Sequence, residues 1–281
     1  MGGAMEFYKV HGIGNDYVLL DAGKLGERDW PALAIAMSDR HFGVGSDGIL
    51  VVGPSKVADF QYRMWNPDGS QSEMCGNGIR GAAKYLYDSG QVRGSCVAID
   101  TLAGIRVLDI TARNGKAEMM RVAMGVPILE AARIPVVADT SPVVDYPLEA
   151  AGQQLRITCV SMGNPHAVLF IAGDPEDYPL ETIGPKVEHH PMFPKRVNFE
   201  VCRVVDRGHI VQRTWERGAG ETLACGTGAS AVAVAAQLNG LADKQIEITL
   251  RGGKLQLEWD GQGEVYMTGP AEIVFKGDWP E

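Results

Sequence analysis

The chain has 281 residues, 45% hydrophobic and 22% charged, a globular composition with material for one large or two modest domains. Its formal net charge of -9, with no run of Lys and Arg long enough to form a stripe, excludes nucleic acid as a partner but leaves room for a small anionic or zwitterionic molecule. No segment approaches the roughly 20 apolar residues of a membrane span, and the opening MGGAMEFYKV has neither a basic leader nor an apolar stretch, so a soluble, cytoplasmic chain with no membrane partner is expected.

In chain order, MEFYKV and YVLLD read as strands around a HGIGND loop, and Trp30 to Asp39 has the spacing of a helix. A glycine-rich loop, HFGVGSDG, leads into the strand ILVVG. ADFQYRMWN alternates like a strand and passes through NPDGSQSEM to a helix, CGNGIRGAAKYLYDSG. Further strands follow in VAIDTLAGIRVLDI and KAEMMRVAMG, and then Pro127, Pro135, Pro142 and Pro147 punctuate the approach to a second domain. That domain carries LRITCVSMGNPHAVLFI, RVNFEVCRVV and HIVQRTWE, a small apolar helix from Ala229 to Leu238, and the strand candidates QIEITL, GKLQLEWD and EVYMTGPAEIVFKG. GVGSDG formally matches a dinucleotide fingerprint, but here a helix precedes it and a strand follows, the reverse of the order that cradles a pyrophosphate.

An internal repeat organises these elements. CGNGIRGAA at Cys75 returns as CGTGASAVA at Cys225, 150 residues later. Arg63 and Trp65 return as Arg213 and Trp215 at the same offset, and HGIGNDYVL with SMGNPHAVL sets Asn15 against Asn164 at an offset of 149. Two halves of one topology are therefore expected, facing one another across a cleft. The expected division is 1–122, 123–268, and a terminal strand, 269–281, returning to the first half.

Five cysteines without a Cys-x-x-Cys pair point to reduced thiols and no zinc knot. Cys96, Cys159 and Cys202 lie in strand-like runs and read as inert fillers. Cys75 and Cys225 each open a glycine-rich helix, where unsatisfied backbone N–H groups stabilise a thiolate and also suit a carboxylate. One such cysteine can be merely structural; two at repeat-related positions point to chemistry. Inverting an amino-acid α-carbon needs a base on one face and an acid on the other, and a thiolate and a thiol can fill these roles and exchange them. Asn15, Asn66, Asn164 and Asn198 lie in loops at strand ends, where amides suit amino and carboxylate groups as well as turns. Glu216 and Arg217 can bind an amino group and a carboxylate, or pair on the surface. His166 can tune a thiol or orient the substrate. No metal-ligand spacing and no sharp pyridoxal-phosphate motif is visible, so no cofactor is expected.

HGIGNDYVLLD, DRHFGVGSDGIL, MCGNGIRGAAKYL, SMGNPHAV, RVNFE and ERGAGETLACGTGA, in this order over nearly the whole chain, resemble the signature segments of the diaminopimelate epimerase family, within the proline racemase-like superfamily. The resemblance implies an α+β fold of two pseudo-symmetric domains, each a mixed, mostly antiparallel sheet wrapped around a central helix. It implies reversible conversion of L,L-diaminopimelate to the meso form without a cofactor, for lysine biosynthesis. It further implies Cys75 and Cys225 as alternating base and acid, with Asn15, Asn66, Asn164, Asn198, Glu216 and Arg217 around the substrate. The main chains of Gly76, Asn77, Gly226 and Thr227 would hold carboxylate, His166 would support the reacting centre, and a homodimer is compatible. Gly48 departs from members that carry a substrate-contacting Gln there. Competing readings are a racemase for another substrate, a binding protein that kept the fold, and a thiol oxidoreductase, for which the close cysteine pair is missing.

Overall fold

The computed structural model describes residues 4–280; of the opening segment read above, Met1–Gly3 lie outside the described residues. The chain forms two compact units, one of residues 4–122 with 268–280, the other of residues 123–267.

The first unit runs β1 (Ala4–Gly12), β2 (Asn15–Asp21), α1 (Ala22–Leu25), α2 (Trp30–Ser38), β3 (Ile49–Pro54), β4 (Phe60–Trp65), β5 (Gln71–Ser72), α3 (Gly76–Asp88), β6 (Cys96–Thr101), β7 (Gly104–Arg113) and β8 (Lys116–Gly125). The second runs β9 (Tyr146–Ala150), β10 (Gln153–Ser161), β11 (Pro165–Phe170), α4 (Leu180–Glu188), β12 (Asn198–Asp206), β13 (His209–Glu216), β14 (Gly220–Thr222), α5 (Gly226–Leu238), β15 (Gln245–Leu250), β16 (Gly253–Glu258) and β17 (Val265–Gly269). The chain then re-enters the first unit as β18 (Glu272–Pro280), antiparallel to β1.

The strand ladders repeat the sequence repeat residue by residue. In the first unit β2 is antiparallel to β1 and parallel to β3, with Val18 opposite Ile49; β3 is antiparallel to β4, with Ile49 opposite Trp65. In the second, β11 is antiparallel to β10 and parallel to β12, with Ala167 opposite Phe199, and Phe199 stands opposite Trp215 of β13. Helix α3 connects the parallel pair β4 and β6, and α5 connects the parallel pair β13 and β15. Register is set by which side chains must be buried, and a slip of one residue would turn every one of them to the wrong face. The matched ladders are therefore two solutions of the same packing problem, each a mixed, mostly antiparallel sheet around a central helix.

Strands buried on both faces explain the apolar runs. In β2, Val18 and Leu20 pack with Ile49 and Val51 against Trp30, Ala34 and Met37 of α2, whose start Asp29 caps by accepting from the Ala32 N–H at 3.1 Å. In the second unit Leu180, Ile183 and Val187 of α4 pack against Ile157, Leu169, Phe199 and Val201. Each such large side chain contributes about 1.5–3 kcal/mol of burial.

Helices α3 and α5 fill the interior of their units. All residues from Gly76 to Leu86 are buried, as are those from Gly228 to Ala236. Both end alike: Gly90, at φ +77, donates to the Tyr87 carbonyl and Gln91 to that of Leu86, while Gly240, at φ +69, donates to Gln237 and Leu241 to Ala236. This is the paired C-terminal closure that a left-handed glycine makes possible. Helix α5 begins at Gly226, three residues before the expected Ala229, because Cys225 itself adopts the extended cap conformation, with φ -119 and ψ 106. The last predicted segment divides into β17 and β18 around Pro270. Cys159 and Cys202 are buried fillers as expected; Cys96 is not, since it opens β6 on an exposed face. Among the described residues no helix is long and apolar enough to cross a membrane.

Candidate functional site

The two cysteines occupy the same local place, the residue before a buried helix, but their sulfurs have different partners. Cys75 caps α3 with φ -127 and ψ 126 and makes no side-chain hydrogen bond to the helix start, contrary to the expectation that helix N–H groups hold its sulfur. The donor is Tyr17, whose hydroxyl lies 3.2 Å from the Cys75 Sγ. Asn15 stands beside it: its Oδ1 accepts from the Tyr17 hydroxyl at 2.9 Å and from Asn77 Nδ2 at 3.1 Å, and lies 3.6 Å from the sulfur. Asn15 and Tyr17 share one face of β2 because side chains alternate along a strand.

The orientation of the Asn15 amide follows from its other end, where Nδ2 donates to Asp47 Oδ2 at 2.7 Å. Arg40 in turn bridges Asp47 and Asp16, each at 2.8 Å. On the helix side, Arg80 is fully buried and donates to Asn77 Oδ1 at 2.9 Å, to the Gly76 carbonyl at 3.1 Å and to the Pro270 carbonyl at 3.2 Å. Burial lowers the Arg80 guanidinium to about 10, with the Cys75 and Tyr17 charges acting the other way. Gly78 has no room for a side chain, since a Cβ there would lie 2.6 Å from the Tyr62 hydroxyl.

At Cys225 the sulfur does take a helix donor, accepting from the Gly228 N–H at 3.3 Å with Thr227 Oγ1 at 3.5 Å. Asn164 Nδ2 donates to the same Thr227 oxygen at 3.2 Å, which leaves its Oδ1 as the acceptor for His166 Nε2 at 3.0 Å. The other ring nitrogen, Nδ1, faces Glu200 Oε1 at 2.8 Å, with both side chains fully buried. The imidazole ring thus joins the Asn164 amide to the Glu200 carboxyl. Burial raises the Cys225 thiol well above its ordinary value, and the charges of Glu216 and Glu200 add to the effect. Glu216 keeps an open edge yet is packed round by protein. Burial raises its carboxyl too, against a 2.5 Å bond from Thr222. A Cβ on Gly228 would lie 2.8 Å from Glu200 Oε1 and 3.2 Å from the sulfur.

The remaining predicted residues fall in several kinds of place. Asn198 is buried and fully engaged with main chain, donating to the Pro165 carbonyl and accepting from the Arg217 N–H, both at 2.9 Å. It thus fixes the turn that carries Glu216 and Arg217, which Glu188 also braces by accepting from Gly218 N at 2.9 Å and Trp215 Nε1 at 2.8 Å. Arg217 itself is exposed and donates to the Lys195 carbonyl at 3.0 Å. Asn66 closes a turn with Ser70, bonding to its hydroxyl at 2.9 Å and its carbonyl at 2.8 Å. Gly76 and Gly226 are the first residues of their helices, followed by Asn77 and Thr227. Gly48 has a physical reason to lack a side chain: its φ is +140, and a Cβ would lie 2.3 Å from the Trp65 carbonyl oxygen. Among the described residues no group of three or more His, Cys, Asp or Glu could hold a metal ion.

Sequence reading missed Tyr17, Asp47, Arg80 and Glu200. The repeat contained the signal for Tyr17, which follows Asn15 by two residues as His166 follows Asn164; Glu200 follows Asn198 by the same strand step.

The diaminopimelate epimerase family model matches residues 7–130 and 158–274. The diaminopimelate epimerase of Acetivibrio thermocellus is 50% identical over 98% of both chains, and that of a Methanococcus maripaludis strain is 48% identical over 98% of this chain and 99% of its own. Among solved structures, a Bacillus anthracis phenazine biosynthesis protein of the PhzF family matches with a TM-score of 0.73 at 18% identity, covering 99% of this chain and 100% of that one. A probable proline racemase from Agrobacterium radiobacter matches with a TM-score of 0.71 at 15% identity, over 97% and 92%; these two likenesses concern the fold. With a family model covering most of its length and relatives at half identity over nearly all of it, the chain belongs to the diaminopimelate epimerase family of isomerases.

Proposed function

We propose that the protein interconverts L,L- and meso-diaminopimelate by a two-base reaction in which Cys75 and Cys225 remove and return the α-proton on opposite faces of the carbon. The observation that carries this reading is the duplication of the cysteine-headed helix, each helix having an asparagine from the start of the equivalent strand bonded to its second residue, Asn15 to Asn77 and Asn164 to Thr227, and each offering backbone N–H groups at its start. Stabilising the carbanion requires donors aimed at the substrate carboxylate. The main chains of Gly76, Asn77, Gly226 and Thr227 are suited to that task.

The centres also differ in a useful way. Burial and two carboxylates favour the protonated form of Cys225, making it the acid of the resting enzyme, while the hydroxyl beside Cys75 suits a sulfur that alternates between proton acceptor and donor. After one turnover the roles are exchanged, and the reverse reaction uses the same groups. Glu216 and the exposed guanidinium of Arg217 provide opposite charges on adjacent residues, matching a substrate with amino and carboxylate groups at both ends.

The test is turnover of stereochemically pure L,L-diaminopimelate by the reduced protein, followed by chiral chromatography, beside L-proline as the rival substrate. Conversion of diaminopimelate, reduced about 10³-fold or more in both Cys75→Ala and Cys225→Ala, is the expected result. Turnover of proline alone, or a cysteine variant that retains full activity, would overturn the reading.

A further inference from the structure

We infer that Tyr17 is a positioning residue for Cys75, its hydroxyl hydrogen turning between the Asn15 carbonyl oxygen and the sulfur as the sulfur gains and loses its proton. This rests on Cys75 acting as an acid–base group.

The geometry leaves few alternatives. Asn15 cannot usefully flip, because Nδ2 is committed to Asp47 at 2.7 Å. Its Oδ1 faces Asn77 Nδ2 at 3.1 Å, the Tyr17 hydroxyl at 2.9 Å and the Cys75 sulfur at 3.6 Å. A carbonyl oxygen has two lone pairs. Asn77 holds one of them, its own Oδ1 being occupied by Arg80. The tyrosine has a single hydrogen and two acceptors within reach, Asn15 Oδ1 and, at 3.2 Å, the sulfur.

When Cys75 is a thiolate it can only accept, and a hydroxyl directed at a charged sulfur makes the stronger bond. When Cys75 is a thiol about to deliver its proton, the tyrosine hydrogen returns to Asn15 and the sulfur is released. No heavy atom has to move. Tyr17 is buried, and burial with the nearby Cys75 charge raises its phenol well above the ordinary value, so its hydrogen stays on the oxygen throughout.

The other groups acting on this sulfur do not respond in this way. Arg80 on α3 contributes a charge held by hydrogen bonds to Asn77, Gly76 and Pro270. Tyr62 on β4 has a buried hydroxyl that faces the Cys75 main chain and makes no hydrogen bond to the sulfur, and Asp47 lies behind Asn15, held by Arg40. In the second unit the position of Tyr17 is taken by His166, which is bonded to Asn164 and Glu200. The switching hydroxyl therefore belongs to Cys75.

The experiment is iodoacetamide alkylation of the full-length protein from about pH 6 to about pH 10, with the Cys75 and Cys225 peptides quantified separately by mass spectrometry. In Tyr17→Phe the Cys75 midpoint is expected to rise by about one pH unit, a roughly tenfold slower reaction at neutral pH, while the Cys225 profile stays in place. Tyr62→Phe, which removes a neighbouring hydroxyl not bonded to sulfur, should leave Cys75 unchanged. Superimposable Cys75 profiles for Tyr17→Phe and parent, or an equal shift in Tyr62→Phe, would overturn the proposal. A measurement on the unsubstituted protein guards against a folding defect: the ¹³Cζ resonance of Tyr17 should follow the Cys75 alkylation curve with pH, and a flat resonance would contradict the switch. Alkylation needs no turnover, so a protein that behaves as described yet leaves diaminopimelate untouched would refute the proposed function and leave Tyr17 in its role.

Discussion

The Cys75 and Cys225 centres share a backbone plan and oppose each other in polarity. Around Cys75 are a buried arginine, a tyrosine hydroxyl and amides; around Cys225 are two carboxylates, a histidine and the helix N–H of Gly228. At matching ladder positions the first unit has Leu50 where the second has Glu200, and Tyr17 where it has His166. One scaffold used twice therefore gives two sulfurs different neighbours, and at Cys225 burial and the nearby carboxylates favour the protonated thiol.

The widest consequence of this difference is an alkaline weakness confined to the second unit. Burial holds the thiols of Cys159, Cys202 and Cys225 above their ordinary value. Unfolded cysteines lose their protons near pH 8.5, so the stabilisation from these groups is complete below about that pH and is lost as pH rises toward the folded values, by up to about 1.4 kcal/mol per pH unit for each thiol. In the first unit Cys75 is half-buried and Cys96 exposed, and its raised phenols, Tyr8, Tyr17, Tyr62 and Tyr85, matter only above about pH 10. Amide exchange corrected for its chemical rate should show residues 123–267 losing protection between about pH 8.5 and about pH 10 while 4–122 retain theirs. Equal loss in both units would break the contrast.

A smaller effect sharpens it. Glu216 is the first of the charges that raise the Cys225 thiol, so Glu216→Gln should bring the Cys225 alkylation midpoint down by about one pH unit and leave Cys75 alone. With Tyr17→Phe this makes a pair of opposite signs, one on each cysteine. Movement of both cysteines in either variant would mean that the centres are not independently tuned.

Much of this was legible in the sequence, for identifiable reasons. Apolar alternation located the strands, and the glycine-rich openings at Cys75 and Cys225 with the apolar runs behind them located both buried helices. The offset of 150 residues between the CGNG and CGTG segments anticipated ladders that match pair by pair. What escaped were contacts made by pairing across strands. Asp47 reaches Asn15 from a loop preceding β3, and Glu200 meets His166 because β12 lies parallel to β11. Asparagines at strand ends looked equivalent by composition, yet Asn15 and Asn164 stand beside the cysteine-bearing helix starts, whereas Asn198 clamps the Arg217 main chain and Asn66 closes a turn. A helix cap predicts donors near a sulfur without fixing its rotamer, so Cys225 meets the helix N–H and Cys75 meets Tyr17.

The proposed proton transfer by two groups on opposite faces can be watched by incubating the reduced protein with L,L-diaminopimelate in deuterated water and following product stereochemistry and α-deuterium together in the first turnovers. Meso product should carry solvent deuterium at the inverted carbon, with remaining L,L substrate largely unlabelled at early times, because the group that takes the proton is not the group that returns one. Early deuterium in recovered L,L substrate at the rate of meso formation, or meso product that retains the original hydrogen, would indicate a single shared base and contradict it.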